Sequence, residues 1–196
     1  NSNTVAPFRD LQKNKLADNG YLPDRKIAQA FDLKANNERF IVCLNHWKAK
    51  DNSYNKPDEY ADTGDGQGSH VLRRVHEAEA TLEFIKTVTA YFEDKDVLIV
   101  GDLNSYSKED PIRVLEEGEL INELQKYAPN EYSYAFFSNN SYATGYLDHS
   151  FATATLDAQI RYAHPFHINA DEPDALKIGG KPQEDNMYRC SDHNPI

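Results

Sequence analysis

The sequence predicts an α/β fold, and three stretches carry that prediction. Arg39-Phe40-Ile41-Val42-Cys43-Leu44 and Val97-Leu98-Ile99-Val100 are short, nearly continuous apolar runs, as expected of strands covered on both faces. Between them, from about Ser69 to Tyr91, Val71, Val75, Ala78, Leu82, Ile85 and Val88 recur every three or four positions, the period of one buried helical face. Strand, helix and strand in that order build an α/β layer.

The bulk properties narrow the class further. A chain of 196 residues fits one domain with a sizeable core. Its 12 Tyr and 9 Phe argue against disorder, and no apolar run approaches the roughly 18 residues of a membrane span. With 21 basic against 32 acidic residues, net −11, the chain is not built to coat nucleic acid by bulk electrostatics. An enzyme acting on a polyanion remains compatible with that charge if metal ions and a local basic rim offset the field.

Taken in order, residues 1–24 read as a polar, irregular lead-in and Arg25 to Phe31 as a short strand. Asn36-Asn37-Glu38 is a turn into the strand Arg39–Leu44, which ends in Asn45-His46-Trp47-Lys48. Residues 51–68 form a loop closing in Gly64-Asp65-Gly66-Gln67-Gly68, where three glycines in five residues call for unusual backbone angles. On the following helix Arg73, Arg74, Glu77 and Lys86 read as a solvated face. The strand from Val97 delivers Gly101-Asp102-Leu103-Asn104; at i and i+2 of an extended segment, Asp102 and Asn104 point the same way and can address one small target, such as a metal-bound phosphate. Asp110-Pro111 reads as an N-cap and first turn, with the helix ending at Gly118. Tyr132–Phe136 is a strand, Asn139-Asn140 a turn toward Gly145–Ala152, Gln159–His164 another strand, and residues 171–186 a loop.

Cys43 and Cys190 each precede a histidine by three residues, His46 and His193, which leaves a disulfide and two free buried thiols equally open. A Cys/His zinc site is disfavoured because no close Cys-Cys pair exists. Four polar clusters sit near strand ends: Asn45-His46, Asp102 with Asn104, Asp148-His149 and Asp192-His193. Any one alone is more often a surface feature; four together suggest chemistry, since hard cations take carboxylate and amide oxygens and phosphodiester cleavage needs a base and a charge sink.

The ordered motifs Asn45-His46-Trp47-Lys48-Ala49-Lys50, Gly64–Gly68, Gly101-Asp102-Leu103-Asn104-Ser105-Tyr106, Gly145-Tyr146-Leu147-Asp148-His149 and Ser191-Asp192-His193 resemble the endonuclease/exonuclease/phosphatase superfamily typified by deoxyribonuclease I. Lys108-Glu109-Asp110-Pro111-Ile112 and His167-Ile168-Asn169-Ala170-Asp171-Glu172-Pro173 are similar to its bacterial extracellular nucleases in particular. The resemblance runs from about Arg25 to Ile196. It implies a four-layer α/β sandwich and metal-dependent hydrolysis of DNA or RNA phosphodiesters, with Mg²⁺ as the expected ion and Ca²⁺ or Mn²⁺ as substitutes. It further implies a secreted, periplasmic or cell-surface bacterial protein with a nucleic-acid substrate and no membrane partner. Carried over by position, His193 is the base that activates water, Asp148 holds its tautomer, and His46 faces the scissile phosphate. Asp102 and Asn104 hold phosphate and metal, Asp192 is a further metal ligand, and Arg25 contacts phosphate, although the Pro-Pro-Leu-Ala-Gln segment that follows this arginine in the subfamily reads Lys26-Ile27-Ala28-Gln29 here, a partial match.

The family's metal-proximal asparagine and metal-binding glutamate have no counterpart before Arg25. Residues 1–196 are therefore expected to be the C-terminal portion of one such domain, lacking its N-terminal part, with an apolar sheet face left exposed and little activity alone. A lipid or inositol-phosphate phosphodiesterase or phosphatase of the same fold is the alternative within enzymes. A non-catalytic module that kept the fold is the alternative outside them.

Overall fold

A computed structural model describes residues 4–6, 27–51, 60–138, 141–173 and 189–196. The described residues form a six-stranded mixed sheet from β1 (Thr4–Ala6), β2 (Ile27–Asp32), β3 (Arg39–His46), β4 (Val97–Asp102), β8 (Asp148–Ala152) and β5 (Ile121–Asn122), in that spatial order. A separate hairpin pairs β6 (Tyr134–Ser138) with β7 (Ser141–Gly145). Among the described residues only β3 and β4 run parallel, with helix α1 (Val71–Phe92) between them in the chain; every other pairing there is antiparallel. A parallel pair needs a crossover, and the 22-residue helix supplies it. The α/β class expected from the strand–helix–strand pattern is the class observed. Where a four-layer sandwich was expected, the described residues hold one six-stranded sheet, helices on one of its faces and a two-stranded sheet.

Helices cover one face of the sheet. Ile41, Cys43, Val97, Ile99 and Phe151 meet Ala78, Phe84, Ile85, Val88 and Phe92 of α1, and Ile112 and Leu115 of α2 (Asp110–Glu117) complete the core. The opposite face carries Val42, Leu44, Leu98 and Val100; Leu44 is 48% exposed and the other three are half-buried. Part of it lies under residues 160–164 and Ile196, which bound an open groove of about 300 Å³ with Leu98, Val100 and Leu124. No helix of the described residues is long and apolar enough to cross a membrane.

Several local expectations shift. The buried side of α1 is Arg74, Glu77, Ala78, Thr81, Phe84, Ile85, Val88 and Phe92, so Arg74 and Glu77 point inward instead of forming a solvated face with Lys86. Both find polar partners at the sheet's C-terminal edge, which an apolar period cannot register. The turn after β2 falls at 34–36, slightly ahead of Asn36–Glu38. Residues 159–164 form no strand; they follow the short helix α4 (Ala154–Asp157) and are irregular. The segment between Gly118 and Glu131 contains β5 and α3 (Glu123–Tyr127), the latter capped by the Asn122 side chain, which accepts from Gln125 N–H. Cys43 is buried in the core and Cys190 is exposed, and no bond joins them, so neither the disulfide nor the pair of buried thiols holds. Arg25, the Asn139-Asn140 turn and residues 174–186 of the expected loop lie outside the described residues.

Candidate active site

Register builds the site. His46 pairs with Asp102 across β3 and β4, and Asp102 pairs with Asp148 across β4 and β8. Residues in register project to the same side of a sheet, so three chemistry-bearing side chains from three strands form one row at the sheet's edge. The alternation that aligns them turns their neighbours away. Asn45 faces α1, where its Nδ2 donates to Cys43 O at 3.2 Å and its Oδ1 accepts from Thr81 Oγ1 at 3.4 Å. His149 is fully buried on that helix-covered face; burial pushes its pKa down to about 4, and Nε2–H of the neutral ring donates to Ser105 O at 2.7 Å. Of the paired clusters Asn45-His46 and Asp148-His149, one member each belongs to the site.

Gly101 makes the close approach of β3 and β4 possible. Its φ is +135°, and a Cβ there would lie 1.9 Å from Asn45 O. The strand ends at Asp102. Asn104 has φ +49°, its N–H donates to Asp102 Oδ1 at 2.9 Å, and its Nδ2 donates to Asp102 Oδ2 at 3.2 Å and to Trp47 O at 3.0 Å. Asp102 and Asn104 do meet, as their spacing suggested, but through a side-chain-closed turn and not through strand alternation.

His193 arrives from the far end of the chain, bridged to Tyr134 of β6 in antiparallel fashion and stacked on its ring at 5.6 Å between centroids. Its Nδ1 lies 2.7 Å from Asp148 Oδ2, which also accepts from Ser133 Oγ at 2.7 Å. A carboxylate only accepts, so Nδ1 carries the proton and Nε2 is the basic nitrogen. Burial alone would lower this imidazole's pKa, but the hydrogen bond to Asp148 and the charges of Asp148, Asp102 and Asp192 outweigh it and hold the pKa above the ordinary value. Asp102 is displaced upward, by burial first; the Asn104 N–H counters this and the adjacent Asp148 charge adds to it. His46 Nε2 stands 3.7 Å from Asp102 Oδ2, with its side chain about half exposed.

Asp102, Asp148 and His193 each offer a ligand atom within 4.8 Å of the others, the one such group among the described residues. Two carboxylates and an imidazole suit a divalent cation. Asp102 is desolvated and sits beside a second carboxylate, with imidazoles among its few positive counterparts, so a bound cation would relieve that repulsion. Asp192 stands outside this group; its side chain is exposed and its backbone O accepts from Ala135 N–H.

Two residues of this region escaped sequence reasoning. Ser133 is fully buried; its Oγ serves Asp148 and accepts the Leu147 and Asp148 N–H groups. Its only signal was a small hydroxyl between two tyrosines of a strand pattern. Arg74 is fully buried and donates to Gln67 O, Ser69 O, Lys48 O and Ser105 Oγ. It thereby ties the glycine loop to the segments that follow His46 and Asn104. The glycines of that loop hold φ of +74°, +89° and +74°, and Gln67 between them caps α2: Asp110 N–H donates to Oε1 at 2.8 Å and Nε2 donates to Asp110 Oδ2 at 2.9 Å.

No family model and no curated protein matches the sequence. Solved structures similar to the chain include a mannosyl-6-phosphatase from Bacteroides thetaiotaomicron, at 18% identity over 66% of this chain and 43% of that one, TM-score 0.47. An endonuclease/exonuclease/phosphatase family protein from the same organism is 18% identical over 65% of this chain and 41% of its own, TM-score 0.46. The endonuclease domain of TRAS1, a telomere-specific non-LTR retrotransposon, is 15% identical over 89% of this chain and 63% of that one, TM-score 0.47. The chain thus spans less than half the length of the first two.

Proposed function

We propose that this chain carries the catalytic base half of a metal-dependent phosphodiesterase acting on nucleic acid, secreted from a bacterial cell. The observation that carries the reading is the Asp148–His193 pair, 2.7 Å apart, set beside Asp102. A carboxylate-oriented histidine with a basic Nε2 takes a proton from water as that water attacks phosphorus. Asp148 fixes the tautomer and stabilises the imidazolium that results, and Ser133 holds Asp148. His46, half exposed at the same edge, is available to donate to a phosphate oxygen. Asp102, with Asp148 at its side and Asn104 behind it, would hold a divalent cation, leaving His193 Nε2 for the water. When bound, that cation would neutralise charge on the phosphate oxygens. The choice of nucleic acid over other phosphodiesters rests on the seven ordered motifs that resemble extracellular nucleases.

The test uses the full-length protein that contains this chain. Plasmid DNA is incubated with Mg²⁺ plus Ca²⁺, with chelator, and with a His193→Ala variant. Nicking that needs the metal and disappears in the variant is the expected result. An intact protein that leaves plasmid uncut in all metals refutes the nuclease reading.

A further inference from the structure

The segment His167–Pro173 matched the sequence pattern of extracellular nucleases yet takes no part in the chemistry above. We propose that the turn at residues 166–171 is a clamp that sets the position of His193, with Asn194 as the positioning residue through which it acts. The proposal rests on His193 being the base and assigns a role to residues that touch neither water nor phosphate.

Asn194 follows His193 directly and is 2% exposed. Its Oδ1 accepts two backbone N–H groups, Asn169 at 3.0 Å and Ala170 at 2.8 Å, and its Nδ2 donates to Asp171 Oδ2 at 3.0 Å and lies 2.9 Å from His167 Nδ1. One residue further on, Phe166 N–H donates to Pro195 O at 2.7 Å. The same turn grips the chain before His193 as well: Arg189 Nη1 donates to Ala170 O at 2.6 Å and Cys190 Sγ to Asn169 Oδ1 at 2.9 Å. The stretch Ser191-Asp192-His193 is therefore a short bow held at both ends by one turn. Its third fixing point is Asn194 N–H, which donates at 2.6 Å to the carbonyl of Ser133, the residue whose hydroxyl holds Asp148. Base and orienting carboxylate are thus referred to a common frame. A buried amide whose Oδ1 accepts two backbone N–H groups and whose Nδ2 has its own acceptor has one orientation available, so it transmits position to the adjoining residue. The middle of the bow is held to β6, where Asp192 O accepts from Ala135 N–H and the Tyr134 ring stacks on His193.

The test is Asn194→Ala in the full-length protein, assayed on plasmid and on a bis-aryl phosphodiester. Misplacing a base by a fraction of its hydrogen-bond length costs about 10–100-fold in rate, so kcat is expected to fall by that factor with KM unchanged. The downfield proton of the His193 Nδ1–H···Asp148 bond, assigned with His193→Ala, is expected to broaden or vanish in the same variant. A kcat close to wild type with that proton intact overturns the proposal, as does a rise in KM alone. Should Asn194→Ala not fold, the double variant His167→Ala/Asp171→Ala removes both partners of Nδ2 while leaving the amide in place and is expected to reduce kcat in the same direction; an unchanged kcat there is equally fatal. If the wild-type protein proves inactive on phosphodiesters, the proposed function fails, and the Nδ1 proton still decides for or against the clamp.

Discussion

Replacing Gly101 with alanine is the change whose cost can be worked most directly from geometry. The residue holds φ +135°, where a side chain is strained whatever space surrounds it. The added Cβ would lie 1.9 Å from Asn45 O and 2.9 Å from Asn45 C, both main-chain atoms of the paired strand. Carbon and oxygen in contact need more than 3 Å or so, so β3 and β4 would have to part by over an ångström. Neither strand can yield cheaply, since Cys43 and Ile99 on either side lie in the core. Backbone strain of about 1–3 kcal/mol adds to overpacking of about 1–3 kcal/mol. A loss of about 2–6 kcal/mol is a large part of the roughly 5–15 kcal/mol available to a domain. In urea, with a slope near 2 kcal/mol per molar, the midpoint should fall by about 1–3 M. Circular dichroism of wild type and Gly101→Ala across a urea series measures it. A midpoint unchanged within about 0.3 M would refute the argument that the glycine is required by the strand contact.

Two further outcomes follow from buried charge. Glu123 is fully buried, and burial first, then the charge of Asp157, raise its pKa to about 7. The folded state therefore binds this proton more tightly than the unfolded chain, and the stability it contributes at low pH is lost as pH rises toward that value. Glu123→Gln should match wild type in thermal midpoint near pH 4 and exceed it at pH 8 by the equivalent of about 1–3 kcal/mol; a pH-independent difference would count against the assignment. Arg74→Met removes a buried guanidinium that donates to three carbonyls and a hydroxyl and lies near the buried Glu109. A loss of about 3–5 kcal/mol is expected by denaturant titration, with Arg74→Lys recovering little of it because a point charge cannot reach the same set of acceptors.

What was legible in the sequence had local causes. The apolar runs at 39–44 and 97–100 announced strands because a buried strand needs nothing but apolar side chains. The glycine cluster at 64–68 announced positive φ because little else tolerates it. Asp102 and Asn104 were recognised together, though their meeting depends on the turn that Asp102 closes with Asn104 N–H. The expected strand at 159–164 failed for the opposite reason: none of the described strands pairs with it.

The sequence by itself determined which residue types stand near strand ends, and so the clusters Asn45-His46, Asp102 with Asn104, Asp148-His149 and Asp192-His193. Only the tertiary structure decided their order in space, because register between β3, β4 and β8 sets Asp102 between His46 and Asp148. It also decided that Asp192 faces solvent while Arg74, Ser133 and Asn194 are buried. A polar side chain is buried only where its hydrogen bonds are met, and here the partners that meet them come from distant parts of the chain.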